Sequence, residues 1–150
     1  MRAVIQRTTE ASVSINQSIS GKIEKGLVIF LGIEANDNDD DIEWLCKKMS
    51  ALRIFSDDEG KMNLSIQDVE GSFLVVSQFT LHAKTKKGNR PSFIHAAKPE
   101  IAVPIYEKFK KMLAVLSGCT VESGEFGADM QVQLINDGPV TIIIDTKNKE

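Results

Sequence analysis

The chain has 150 residues, 42% apolar and 26% charged, with a formal net charge of −3. That is the profile of an ordinary soluble globular protein, long enough to bury one core without disulfides. It excludes the strong overall basicity of many nucleic-acid binders.

The first residues, MRAVIQRTTEASVSI, already read as strand and carry no signal-peptide core. Residues 2–7 and 11–15 are expected as short strands joined by a turn at Thr8-Thr9-Glu10. Residues 18–24 and 26–33 form a second β pair around Lys25-Gly26. The longest apolar run, Leu27 to Ile33, is too short to span a membrane. The acidic run Asn36 to Asp41 lacks the glycine and closing glutamate of a calcium loop and reads instead as a helix start. The helix after it lines up Ile42, Leu45, Cys46, Met49 and Leu52 on one face.

Ser56 to Lys61 reads as a turn. Phe73 to Phe79 reads as a central strand, because its start is continuously apolar. Residues 83–98 form a long loop rich in Lys, Gly, Asn and Pro, a length that is often functional. A second helix is expected from about Pro99 to Leu116, with Ile101, Ala102, Ile105, Phe109, Met112, Leu113 and Leu116 on one face and a stop at Gly118. Pro104 suggests a kink or a later start. Residues 119–122, 130–135 and 140–145 supply the last strands. The expected fold is α/β: a single mixed domain over 1–150, layered β/β/α, with mostly antiparallel sheets and two main helices.

The two cysteines, Cys46 and Cys119, sit in no CxxC pattern and read as reduced core thiols of a cytoplasmic protein. The two histidines, His82 and His95, have no partner at metal-ligand spacing, so no metal or cofactor is expected. Charge is unevenly spread. Gly71 to Pro99 holds no acid and five cations, Lys84, Lys86, Lys87, Arg90 and Lys98, which leaves −8 for the rest of the chain. Such a segment is either a local phosphate-binding patch or a solvated basic loop.

Two stretches stand out. Ser77-Gln78-Phe79-Thr80-Leu81 ends the apolar strand with polar side chains, at a place where sites are commonly built. Its N–H groups would suit an oxyanion hole, or its hydroxyls merely satisfy a strand end. Asn136-Asp137-Gly138-Pro139 interrupts a β-branched run. It is either a turn between strands or a stiff backbone device held out for contact.

Together, SQFTL at 77–81 and NDGPVT at 136–141 resemble the paired signature motifs of the D-aminoacyl-tRNA deacylases, also called D-tyrosyl-tRNA deacylases. The similarity extends to Met1–Arg7, RIFSDDEGKMN at 53–63, RPSF at 90–93 and FGADMQV at 126–132. The resemblance implies a homodimeric hydrolase that cleaves the ester between a D-amino acid, or glycine, and the 3′-terminal adenosine of tRNA. It implies that L-aminoacyl esters are spared by a cis Gly138-Pro139 peptide reaching into the partner's pocket. It places the amides around Gln78, Phe79 and Thr80 near the scissile carbonyl, with Ser77 and Gln78 ordering the site. Phe126 and Met130 match the adenosine pocket, and Arg7 matches a residue that fixes the Gly-Pro loop; the other readings are ordinary core packing for Phe126 and Met130 and a strand-edge surface charge for Arg7. Thr80, Ser77, Gln78 and Phe79 are then the catalytic set, with Thr80 either a nucleophile or part of a site that positions the substrate while the tRNA 2′-hydroxyl assists the attacking water. The second is favoured, because no base stands beside Thr80 in the sequence. The acceptor end of tRNA is then the expected partner, with Lys84, Lys86, Lys87 and Arg90 on its phosphates. No DNA or membrane partner is expected, and His82 is given no role. The alternatives are a non-catalytic tRNA-binding dimer and a Ser/Thr hydrolase of a small ester.

Overall fold

The computed structural model describes residues 1–150. Its elements run β1 (Arg2–Ile15), β2 (Ser18–Ile23), β3 (Gly26–Gly32), α1 (Asp39–Ala51), β4 (Phe55–Ser56), β5 (Met62–Leu64), β6 (Ser72–Ser77), a 3-10 turn (Phe79–His82), α2 (Pro99–Ser117), β7 (Val121–Ser123) and β8 (Gln131–Asp145).

β1 is the spine of a six-stranded sheet. Its first half pairs antiparallel with β3, from Arg2↔Gly32 to Thr8↔Gly26. Its second half pairs antiparallel with β2, from Ala11↔Ile23 to Ile15↔Ser18. β8 runs antiparallel along the opposite edge, from Arg2↔Asp145 to Ser14↔Gln131. β6 then joins β3 in parallel, and β7 joins β6 in parallel. The sheet curls until β2 approaches β7, where the Ser20 hydroxyl donates to the Ser123 carbonyl at 3.2 Å. The expected layers are thus two walls of one nearly closed sheet plus the two helices.

Strand alternation divides the core. One face sends Ile5, Leu27, Ile29, Leu31, Phe73 and Val75 toward Ile42, Leu45, Met49, Phe109 and Leu113 of the helices. The other sends Ala11, Val13, Ile23, Val28, Leu74 and Val76 into the curl of the sheet.

The acidic run does start α1. Asn38 is the N-cap, its side chain accepting from the Asp40 and Asp41 N–H groups, while Asp41 Oδ2 accepts from the Asn38 N–H at 3.0 Å. α2 begins at Pro99 and continues past Pro104 to Ser117, so the later start is not found. Its fully buried stripe is Ala102, Tyr106, Phe109 and Leu113. Ile101 and Leu116 are exposed, a rotation of the face relative to the sequence reading. Cys46 is fully buried and its thiol is pushed up to about 12 by burial. Cys119 is only half-buried, at the margin of the core.

Three further boundaries differ from expectation. Residues 2–7 and 11–15 are one strand, not two. At Thr8 the pairing with β8 is irregular, and the Thr8 hydroxyl lies 2.5 Å from the Glu10 carbonyl and 2.8 Å from that of Ile135. The strand continues through this irregularity instead of turning. Likewise 130–135 and 140–145 are one strand, so the Gly-Pro pair is not a turn between two. Pairing jumps from Thr8↔Asn136 to Gln6↔Thr141, which sets residues 137–140 as a bulge opposite Arg7. Finally, β6 ends at Ser77 rather than Phe79.

Candidate active site

β6 delivers the site to the edge of the core. The Gln78 N–H donates to the Leu31 carbonyl at 2.8 Å, one last sheet bond. The chain then leaves the strand and wraps into the turn Phe79–His82. The opening N–H groups of a helical turn have no acceptor inside it. Those of Phe79 and Thr80 are therefore available to a ligand oxygen, whereas that of Gln78 is already used.

A cavity of about 240 Å³ opens at this point. Ser77, Gln78 and Phe79 line it together with Phe126, Gly127, Ala128 and Met130 and with the core residues Leu31 and Ile33. Phe126 is held by an edge contact to Tyr106, with ring centroids 5.6 Å apart, and the Tyr106 hydroxyl donates to the Val75 carbonyl at 2.9 Å. Burial pushes the Tyr106 phenol up, so it stays a donor. Met130 lies over Gly124: a Cβ there would stand 2.3 Å from Met130 Sδ. Only glycine lets the thioether lie where it does.

Thr80 is exposed at the rim. Its hydroxyl accepts from Gln78 Nε2 at 2.6 Å. His82 points elsewhere. It is 2% exposed, packs against Gly32, and its Nε2 has no hydrogen-bond partner, Thr80 included. The rim offers Thr80 no side chain that would take its proton.

Arg7, Gly138 and Pro139 form a second cluster that does not line this cavity. The Gly138–Pro139 peptide is cis, and both residues are exposed. Arg7 is 7% exposed, not a surface charge at a strand edge. Its Nη1 donates to the Ile54 carbonyl at 2.6 Å and its Nε to the Asp137 carbonyl at 3.1 Å. The Asn136 side chain spans the bulge, accepting from the Val140 N–H at 3.1 Å and donating to the Thr141 hydroxyl at 3.0 Å. Sequence reasoning missed Asn136, Gly124 and Tyr106. Asn136 stood inside a quoted motif, but the pairing of Tyr106 with Phe126 has no signal in the sequence.

A model of the D-Tyr-tRNA(Tyr) deacylase family matches residues 4–145.

The chain belongs to that family.

Membership makes it a deacylase, a hydrolase of the ester between an amino acid and tRNA. A D-aminoacyl-tRNA deacylase of Bacteroides fragilis is 61% identical over 150 residues, covering 100% of both chains. One of Akkermansia muciniphila is also 61% identical over 100% of both. Among solved structures, a c-Myc DNA unwinding element binding protein superposes with a TM-score of 0.90 at 38% identity, covering 97% of this chain and 98% of that one. A probable eukaryotic D-amino acid tRNA deacylase shares the fold with a TM-score of 0.83 at 17% identity, covering 95% and 97%. The deacylase has no helix long and apolar enough to cross a membrane.

Proposed function

We propose that this deacylase, acting as one domain over 1–150, removes D-amino acids and glycine from the 3′-terminal adenosine of tRNA. It does so as a homodimer in the cytoplasm, and each site joins the cavity of one copy to the Gly138-Pro139 bulge of the other. The observation that carries this reading is the separation of the two clusters. Ser77, Phe79, Phe126 and Met130 line the cavity, whereas the bulge held by Arg7 is exposed and contributes nothing to the cavity lining.

In this reading Phe126 and Met130 hold the adenine, and the ester carbonyl lies against the N–H groups of Phe79 and Thr80. Water attacks the carbonyl carbon, assisted by the adenosine 2′-hydroxyl. The oxygen of the carbonyl gains charge and is stabilised by those two N–H groups. The bond to the 3′ oxygen then breaks, releasing tRNA with its 3′-hydroxyl and the free amino acid. Thr80 contributes position, since its hydroxyl accepts from Gln78 and has no base beside it. Alignment and an oxyanion hole together supply several kcal/mol without a protein nucleophile.

The partner's bulge presents backbone carbonyls to the α-amino group and fills the space an L side chain needs. Exclusion of this kind rejects L-residues by repulsion, not by weaker attraction. Glycine has no side chain to exclude, so it passes. The dimer also gives the exposed Ile143, 75% accessible in one chain, a surface to meet.

Complementation tests the shared site. A cavity variant, Phe126→Asp, is mixed with a bulge variant, Gly138→Ala, under conditions that exchange subunits, and D-Tyr-tRNA hydrolysis is followed. Each variant alone is weak. The mixed dimer recovers one intact site and regains activity. No recovery in a demonstrated mixed dimer contradicts the shared site, and an inactive wild type would leave a tRNA-binding dimer.

A further inference from the structure

The acid-free segment is more ordered than a loop. The Lys84 N–H donates to the Ser92 carbonyl at 2.8 Å and the Ser92 N–H to the Lys84 carbonyl at 3.0 Å, closing a small hairpin. Gly88 turns its tip with φ +68°. Lys84, Lys86, Lys87 and Arg90 are all exposed on it. None is in an ion pair, although nine such pairs exist elsewhere. Four unpaired cations on a short projection, in a chain of net charge −3, concentrate positive potential at one place.

The segment that follows this hairpin touches the site twice. Phe93, the first residue past Ser92, sets its ring edge-on to Phe79, with centroids 5.1 Å apart at 78°. Further on, the Ala97 N–H donates to the Ile33 carbonyl at 2.9 Å, and both residues line the cavity. Phe79 is 55% exposed, so Phe93 is its aromatic support. An edge-to-face pair fixes ring orientation and contributes about 0.5–1.5 kcal/mol.

We propose that the 84–92 hairpin grips the phosphate backbone of the RNA substrate, and that Phe93 is the positioning residue that joins this grip to the turn bearing the Phe79 and Thr80 N–H groups. The inference rests on the RNA-ester hydrolysis proposed above. It assigns binding to the cations and turnover to Phe93, two separable effects. A cation on a phosphate releases a counterion, so each one steepens the salt dependence of binding. Phe93 carries no charge and acts through Phe79.

The test measures kcat and KM for D-Tyr-tRNA over a range of KCl. The triple variant Lys86→Ala/Lys87→Ala/Arg90→Ala is expected to raise KM and to make log(kcat/KM) against log[KCl] shallower by about two to three. Lys61→Ala, an exposed cation elsewhere, gives the wild-type slope. Phe93→Leu is expected to lower kcat about tenfold with the slope unchanged, and Phe93→Tyr, which keeps the ring, to restore it. An unchanged slope in the triple variant overturns the grip. A Phe93→Leu effect confined to KM, or one that Tyr does not rescue, overturns the positioning role. If the wild type turns over nothing, the functional reading fails instead. Anisotropy of labelled uncharged tRNA then still decides the grip by the same slope.

Discussion

Arg7 and Asp137 are locked together across the bulge: Arg7 Nε lies 3.1 Å from the Asp137 carbonyl and 3.1 Å from Asp137 Oδ2. Because Nη1 also takes the Ile54 carbonyl, one guanidinium ties β8 to the segment after α1. A lysine cannot reproduce this, since its single ammonium lacks the planar fork. Arg7→Lys is expected to cost about 2–3 kcal/mol of stability, the scale of lost charge-assisted bonds at a buried group. It should also raise the hydrolysis of L-Tyr-tRNA relative to D-Tyr-tRNA, because the bulge is no longer held. Urea melts and paired deacylation rates check both.

Gly138 leaves no room for a side chain. Its φ is +123°, and an added Cβ would stand 2.9 Å from Val140 Cγ2 and 3.0 Å from Arg7 Nη2. Gly138→Ala is expected to destabilise the fold by about 1–3 kcal/mol. D-Tyr-tRNA hydrolysis should fall more than tRNA binding does. Equal losses in the two would mean that the bulge does not touch the reacting end.

Thr80→Ala separates two chemistries. The hydroxyl accepts from Gln78 and has no base, so the loss in kcat should stay within about tenfold, or 1.4 kcal/mol. A loss of about a thousandfold or more would require a nucleophilic hydroxyl.

Gly124→Ala is expected to act on KM. The new methyl displaces the Met130 thioether, a flexible group that moves at small cost to the fold. The cavity wall changes while the turn at Phe79 and Thr80 does not. A fall in kcat at unchanged KM would place Met130 outside the adenosine pocket.

Acid stability has an identifiable contributor far from the site. Burial works against ionisation of Asp41, but the Lys147 ammonium at 2.6 Å and further hydrogen bonds outweigh it and hold the carboxyl below its ordinary value. A depressed carboxylate contributes stability that is present above its unfolded pKa and lost as pH falls through the folded one. The wild type should therefore lose more stability than Asp41→Asn between about pH 5 and pH 2. Lys147, raised chiefly by its hydrogen bond to Asp41, acts in the opposite sense and loses its contribution only at strongly alkaline pH. Thermal melts across pH read both.

Much of the fold was legible because local chemistry and tertiary environment agree. Asn38 and the acids after it mark α1, and Gly118, with φ +67°, ends α2. The strands were legible, but their joins were not. Thr8 and Pro139 carry turn chemistry, yet each lies in a bulge held by its partner strand, and register is a non-local property. The stripe of α2 was misplaced because Tyr106 is buried through its bond to the Val75 carbonyl, which only the fold reveals. At the site, the motifs located the strand end and the bulge. They could not show that the Gln78 N–H is already taken, or that Phe93 supports Phe79.

Hydrolysis of D-Tyr-tRNA and L-Tyr-tRNA by the purified protein, side by side at neutral pH with a chelator present, is the experiment on which the functional reading stands. Rapid release of D-tyrosine with the L-ester left intact is the outcome expected of an exclusion filter at Gly138-Pro139. Equal release of both would keep the esterase and remove the filter, and release of neither would contradict hydrolysis itself.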